Sequence, residues 1–391
     1  FRPGVMRVRE GTSVPVIPVY LDELWGSIFS YQGGRLLWKW PRKWPYPISI
    51  HFGPPVDQPQ DIHKVRQAVQ ELGAKAVQQR TDKMRPVTVD FIRSCKKQRR
   101  RAKVADSSGM ELTGGSLLMR TLILRRLLRR EALTDDDDKV GILLPPSAPA
   151  AIANAALSLD QRVTVNLNYS VSTSFIQDCI DQAHVRKVLT SRRVMDKLGF
   201  KLNAELIMIE DLLGQLRLSD KLAGVLGSYV VPAGILANSL RLRKARSEDV
   251  MTLIFTSGST GKPKGVMLTH GNIASNVEAV RDVFQIHSKD CLLGILPFFH
   301  SFGFTITMWT VLGLNAKGAY HFNPLDARQV GALCREQKVT IVLATPTFLR
   351  SYLRRCDTED FAAAEVVVTG AERLPPDVAD AFEEKFLSLI H

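Results

Sequence analysis

The chain has 391 residues, 45% hydrophobic and 23% charged, with five scattered cysteines and a formal net charge of +13. Length and balance are those of an ordinary soluble globular protein with room for two or more domains. No C-x-x-C pair occurs, which excludes a zinc ribbon and a disulfide framework and fits a reducing compartment, and no nucleic-acid motif accompanies the positive charge, so nucleic acid is not the expected partner.

The sequence opens without an initiator Met or a signal-peptide pattern, and it reads as an internal portion of a longer protein. Two apolar, strand-like runs, "VPVIPVYLD" and "ISIHFGPPV", flank a basic segment punctuated by prolines. Four of the five tryptophans (Trp25, Trp38, Trp40 and Trp44) lie between them beside Arg35, Lys39, Arg42 and Lys43. That mixture suits a membrane–water interface, or equally a packed loop with snorkelling cations. "DIHKVRQAVQELGAKAVQQR" then reads as a helix, and the chain divides near residue 85.

Residues 85–130 hold thirteen Lys and Arg against three acids. Arg125, Arg126, Arg129 and Arg130 share one face of an expected helix, with Leu117, Leu124 and Leu128 elsewhere on it. Two readings stay open for that face: attraction to anionic lipid or an acidic carrier protein, and a plain solvated surface. "KVADSSGMELTGGSLLMR" reads as a strand, a Ser-Ser-Gly turn and a helix capped by Thr113. Buried strands then alternate with helices through "DKVGILLPPSAPAAIANAALSLD" and "RVTVNLNYSVSTSFIQDCIDQAHVRKVLTS", the α/β pattern of a largely parallel sheet. "DDDD" at 135–138 is expected to be a solvated acidic loop. Residues 222–240 are uncharged but broken by Gly224, Gly227, Pro232 and Gly234, so a surface or interfacial segment is expected there and not a membrane span.

Residues 256–265 read "TSGSTGKPKG". Glycines let backbone N–H groups close on an anion, hydroxyls add donors and lysines add charge, so the stretch suits a phosphate. An apolar strand, "DVMTLIF", precedes it, and a loop and helix follow, with His270 to Asn272 near the helix start. The Walker A spacing is excluded: two residues separate Gly258 from Gly261, and Pro263 stands where that motif needs a hydroxyl.

This string resembles the phosphate loop of the adenylate-forming acyl and aryl ligases. Two further segments resemble that family in the expected order: "LPFFHSFG" at 296–303 and "VTGAERL" at 368–374. The resemblance implies ATP and Mg2+ as cofactors. It implies that Thr256, Ser257, Gly258, Ser259, Thr260, Gly261, Lys262, Lys264 and Gly265 bind the nucleotide, with Thr256 also on the metal. Gly370, Ala371 and Glu372 would lie along the adenine and acyl sites. Phe299, His300 and Gly370 would bind the acyl substrate, His300 being the candidate catalytic residue.

Residues 1–85 resemble the closing strands and terminal helix of a glycerophospholipid acyltransferase. Its H-x-x-x-x-D pair is expected upstream; the copy at His321 and Asp326 is read as chance spacing. The combined expectation is an α/β fold: a partial adenylate-forming N-terminal domain over residues 86–391, behind the C-terminal end of an α/β acyltransferase domain over residues 1–85. That order is similar to bacterial bifunctional proteins joining a lysophospholipid acyltransferase to an acyl carrier protein synthetase. It implies a fatty acid, acyl carrier protein (or CoA), a lysophospholipid and a membrane surface as partners, at the cytoplasmic face of the bacterial inner membrane. A long-chain acyl-CoA ligase and a truncated nucleotide- or lipid-binding module are the alternatives. The family's Y-G-x-T-E segment, ribose-binding aspartate and terminal-domain lysine are not found, so residues 1–391 alone are expected not to complete adenylation.

Overall fold

The computed structural model describes residues 4–9, 11–12, 14–24, 27–31, 45–56, 62–257, 262–386 and 389–390. The tryptophan-rich segment and Gly258, Ser259, Thr260 and Gly261 of the phosphate stretch lie outside the described residues. The chain separates into two compact units, 1–84 and 85–391.

In the first unit, strands β1 (Val19–Asp22) and β2 (Ser49–Phe52) pair antiparallel and helix Ile62–Asp82 packs against them. Alternation decides the faces. Tyr20 points at the helix, where its ring lies so close to Gly73 that a Cβ there would be 2.8 Å away. Asp22, on the same face, pairs with Arg80 at 3.4 Å. Val19, Leu21, Ile50 and Phe52 occupy the other face, in register across the two strands, and all four are exposed.

The second unit contains two sheets. One has the order β10-β9-β6-β5-β7-β8, formed by β5 (Lys139–Ile142), β6 (Val163–Asn166), β7 (Lys187–Thr190), β8 (Glu205–Met208), β9 (Val250–Ser257) and β10 (Pro263–Thr269). The other has the order β15-β14-β13-β11-β12-β3-β4, formed by β3 (Ala102–Asp106), β4 (Glu111–Thr113), β11 (Cys291–Gly294), β12 (Lys317–Tyr320), β13 (Ile341–Ala344), β14 (Val366–Thr369) and β15 (Leu389–Ile390). All neighbours are parallel except β9–β10 and β3–β4. The expected loop after the phosphate stretch is therefore a strand: β10 runs back along β9, and Thr269 then caps helix His270–Phe284 through a reciprocal bond with Asn272.

Helix Ala148–Leu159 touches β5 and β6 of the first sheet and β3 of the second. Every one of its residues except Pro149 is buried, which its alanine-rich, uncharged sequence permits. Asn154 and Ser158 are its polar residues; Asn154 exchanges amide hydrogen bonds of 3.1 and 2.8 Å with Asn166 at the end of β6.

Two expectations about charge are corrected by the packing. The arginine face of helix Gly114–Leu127 and the following turn is not an open basic surface. Arg125 and Arg129 pair with Asp160 at 2.9 and 3.2 Å, and Arg126 and Arg130 pair with Asp220 at 2.7 Å each. The acidic stretch 135–138 is solvated at three positions, but Asp137 is buried. Burial alone would raise its pKa; bonds from the Thr134 N–H and hydroxyl, with Lys187 and Arg186 nearby, outweigh it and hold the carboxyl below its ordinary value. All five cysteines are free and buried.

His270, buried at the start of its helix with Nδ1 unpartnered, carries a pH prediction. Burial pulls its pKa from 6.5 to about 4, against the opposing pull of Asp249. The folded state therefore resists a proton that the unfolded chain accepts. Stability is complete above pH 6.5 and falls as pH drops through 4, by about 3 kcal/mol over that window. Denaturant titrations at several pH values should show this loss in the wild type, and a flatter profile in His270→Gln.

Candidate active site

Ligands of open α/β sheets bind beyond the carboxyl ends of the parallel strands. The three sequence segments singled out above all leave strands at such ends. The described residues of "TSGSTGKPKG" lie at the facing ends of β9 and β10, with Thr256 opposite Lys264 and Ser257 opposite Pro263. Thr256, Ser257, Lys262 and Lys264 are exposed there, while Pro263 is buried and seats the return strand. Neither lysine has a carboxylate partner among the described residues. These ends thus offer two unneutralised ammonium groups and two hydroxyls, a combination suited to a polyphosphate. Gly265 lies under the Phe255 ring, where a Cβ would come within 3.1 Å.

"LPFFHSFG" leaves β11. Phe298 is buried and meets the Tyr320 ring edge-on, with centroids 5.5 Å apart. Phe299 is buried and meets Tyr169 edge-on at 5.0 Å. His300 is exposed, its ring 4.7 Å from that of Phe299. The His300 N–H donates to the Pro297 carbonyl at 3.1 Å, and its own carbonyl accepts from the Phe304 N–H at 2.8 Å, leading into the π-helical stretch Gly303–Trp309. Partial desolvation by its neighbours lowers the His300 pKa, so the imidazole is neutral at pH 7 and can both donate and accept.

"VTGAERL" leaves β14. The Gly370 N–H donates to the Ala344 carbonyl at 3.3 Å. Ala371 holds φ +68°, a conformation unusual for a residue with a Cβ, and Glu372 accepts from the Thr347 hydroxyl at 3.0 Å. The Phe302 ring packs on Gly370, 3.5 Å from where its Cβ would lie, so the segments after β11 and β14 touch.

Tyr169 joins the two sheets. It follows β6, the neighbour of β9, and its ring meets Phe299 of the other sheet. Its hydroxyl is buried without a partner, and burial raises its pKa well above the ordinary value. Sequence reasoning did not single out Tyr169 or Phe302. The available signal was an aromatic residue just past a buried strand, in "NLNYS", and a third aromatic in "FFHSF". His321, set aside as half of a chance H-x-x-x-x-D pair, bonds Ser107 through Nδ1 at 2.6 Å at the ends of β12 and β3. Asp326 caps the next helix instead, accepting from the Gln329 N–H. That pair is therefore no acyltransferase dyad.

No group of three or more His, Cys, Asp or Glu side chains able to hold a metal ion exists among the described residues. The hairpin supplies a hydroxyl at Thr256 and no carboxylate. That set suits Mg2+ held mainly by substrate phosphates and water, with Thr256 as a protein contact.

Residues 91–391 match the AMP-binding enzyme family, and the chain belongs to that family. It is 33% identical over 140 residues to syringomycin synthase SyrB1 of Pseudomonas syringae pv. syringae, covering 34% of this chain and 22% of that protein. It is 26% identical over 261 residues to 4-coumarate–CoA ligase 4 of Arabidopsis thaliana, covering 65% and 45%. Among solved structures, the N-terminal subdomain of Klebsiella oxytoca NpsA in complex with 3-hydroxyanthranilyl-AMSN superposes with a TM-score of 0.64 at 18% identity, covering 79% of this chain and 73% of that one. The chain spans less than half the length of these two curated relatives. The α/β fold is thus the adenylate-forming one over the second unit. The matched range begins at residue 91, and the strands and helix of the first unit take no part in it.

Proposed function

We propose that the second unit binds ATP and a carboxylic acid for acyl-adenylate formation. One observation carries this: the phosphate hairpin, the Phe299–His300 loop and the Gly370–Glu372 turn all lie at carboxyl ends of two sheets joined through Tyr169 and Phe299. A carboxylate is a poor acyl donor, because its leaving group would be oxide. Attack of a carboxylate oxygen on the α-phosphorus of ATP forms a new P–O bond, breaks the bond to the β-phosphate and releases pyrophosphate; AMP is then the leaving group. Thr256, Ser257, Ser259 and Thr260 are assigned to donate to phosphate oxygens, and Lys262 and Lys264 to offset charge on the departing pyrophosphate. Magnesium, when bound, adds further neutralisation of the phosphates. Neutral His300 is assigned to position the carboxylate.

The proposed carboxylate is a fatty acid and the proposed acceptor the phosphopantetheine thiol of acyl carrier protein. CoA presents the same thiol and is the alternative acceptor, supported by the likeness to a CoA ligase. For the first unit we propose the end of an acyltransferase that hands the acyl group to a lysophospholipid, at the cytoplasmic face of a bacterial inner membrane. Support there is the sequence resemblance of residues 1–85 alone.

Titration calorimetry of the chain with ATP and Mg2+ tests the nucleotide assignment. The double variant Lys262→Ala/Lys264→Ala is expected to bind at least about tenfold more weakly, since each lysine offers a charge-assisted contact. Unchanged affinity in the variant, or no ATP binding by the wild type, would remove these residues from the nucleotide site.

A further inference from the structure

Residues 212–246 contain six Lys and Arg and one acid, Asp220. That acid is buried between Arg126 and Arg130. Helix Leu218–Val225 and the π-helical turn Leu226–Val230 lie against helix Gly114–Leu127. Their inward side is small and polar. A Cβ on Gly224 would come within 2.7 Å of Ile123, and one on Gly227 within 2.7 Å of Leu122. The Ser228 hydroxyl donates to the Gly115 carbonyl at 2.6 Å.

The outward side carries Leu218, Leu222, Val225, Leu226 and Tyr229, spaced along one helical face. They are 72, 55, 41, 51 and 40% exposed. An ordinary surface helix turns such a stripe inward and its polar side to water, so the amphipathicity here is inverted. Cations border the stripe. Lys221 is exposed on the same helix. The Tyr229 ring and the Arg99 carbonyl both lie beside Gly115, which brings the basic turn with Lys97, Arg99 and Arg100 to the edge of the patch. Lys96 ties that turn down by bonds of 2.8 and 2.9 Å to the carbonyls of Gly227 and Ser228. Lys97, Arg99, Arg100 and Lys221 have no carboxylate partner among the described residues.

We propose that this face docks on an anionic lipid bilayer, the leucine stripe entering the headgroup boundary and the bordering cations pairing with lipid phosphates. Charge selects the occupant. A second copy of the chain would bring the same cations against these, whereas an anionic surface complements them. The assignment does not rest on the nucleotide site and is measured without ATP or fatty acid, so failure of either reading leaves the other standing.

The test is co-sedimentation of the whole chain with phosphatidylcholine vesicles, with and without phosphatidylglycerol, at low and high salt. Binding is expected to require phosphatidylglycerol and to weaken in high salt. Leu222→Glu/Leu226→Glu should lower it by at least about tenfold. Lys97→Glu/Arg100→Glu should remove the preference for anionic lipid. Both pairs are exposed and should leave the thermal midpoint unchanged. The proposal is overturned if the wild type stays in the supernatant with anionic vesicles, or if Leu222→Glu/Leu226→Glu sediments as the wild type does. A wild-type dimer that this variant turns into a monomer, with no vesicle binding, would make a second copy the occupant and overturn it equally.

Discussion

Gly303→Ala is expected to destabilise the protein by about 3 kcal/mol and to abolish fatty acid binding, because it forces atoms into a site that cannot yield. A Cβ at Gly303 would lie 2.0 Å from the Pro297 carbonyl oxygen and 2.7 Å from that of Leu296. Both are backbone atoms, and the Pro297 oxygen already accepts the His300 N–H. Relief requires moving the turn that aims Phe299 and His300. The stability loss is read from denaturant midpoints and the binding loss by calorimetry with a long-chain fatty acid. Gly370→Ala is the control at the same site. Its Cβ would meet only the Phe302 ring at 3.5 Å, an ordinary contact, and its stability should match the wild type. If Gly303→Ala bound fatty acid as the wild type does, the loop at 296–303 would not form the acyl site.

A rise in stability of about 2 kcal/mol between pH 7 and 9 is the second large effect, and it belongs to Lys103. This lysine is fully buried on β3, donating to the Ser94 hydroxyl at 2.8 Å, to the Ala316 carbonyl at 3.0 Å and to the Leu314 carbonyl. Burial lowers its pKa from 10.5 to about 7, with only Cys95 opposing the shift. From pH 7 upward the folded chain has shed a proton that the unfolded chain still holds, so folding gains as pH climbs. The window closes near pH 9, because burial raises the neighbouring Cys95 from 9.0 to about 12 and makes its ionisation favour the unfolded chain. Lys103→Met should be less stable at pH 9, with the Leu314 and Ala316 carbonyls left without this donor, and should show no such rise. A wild-type profile flat from pH 7 to 9 would mean that the three acceptors keep the ammonium charged.

The sequence made the second unit readable because its signals were local. Buried strands alternating with helices gave the parallel sheets, Thr113 capped its helix through the Ser116 N–H, and the described residues flanking the glycine-rich string pair as β9 and β10. What escaped it depended on partners far along the chain. The arginines of the helix at 114–127 resemble an open basic face until Asp160 and Asp220 arrive from later segments. Asp137 reads as solvated until Lys187 and Arg186 close over it. Strand β10 reads as loop because Pro263 and Gly265 hide its pairing, and an edge strand tolerates both. Tyr169 was missed for a similar reason: its importance is its meeting with Phe299, 130 positions away, which no periodicity announces.

The β1–β2 ribbon of the first unit has a colloidal consequence. Its outer face sets Val19 beside Phe52 and Leu21 beside Ile50, all four exposed, with helix Ile62–Asp82 packed on the opposite face. Two strands are too few to stand alone in water, and two-stranded ribbons keep both lateral edges free to recruit further strands. The face is therefore adhesive as well as apolar. Whatever covers it sets the solubility of the first unit.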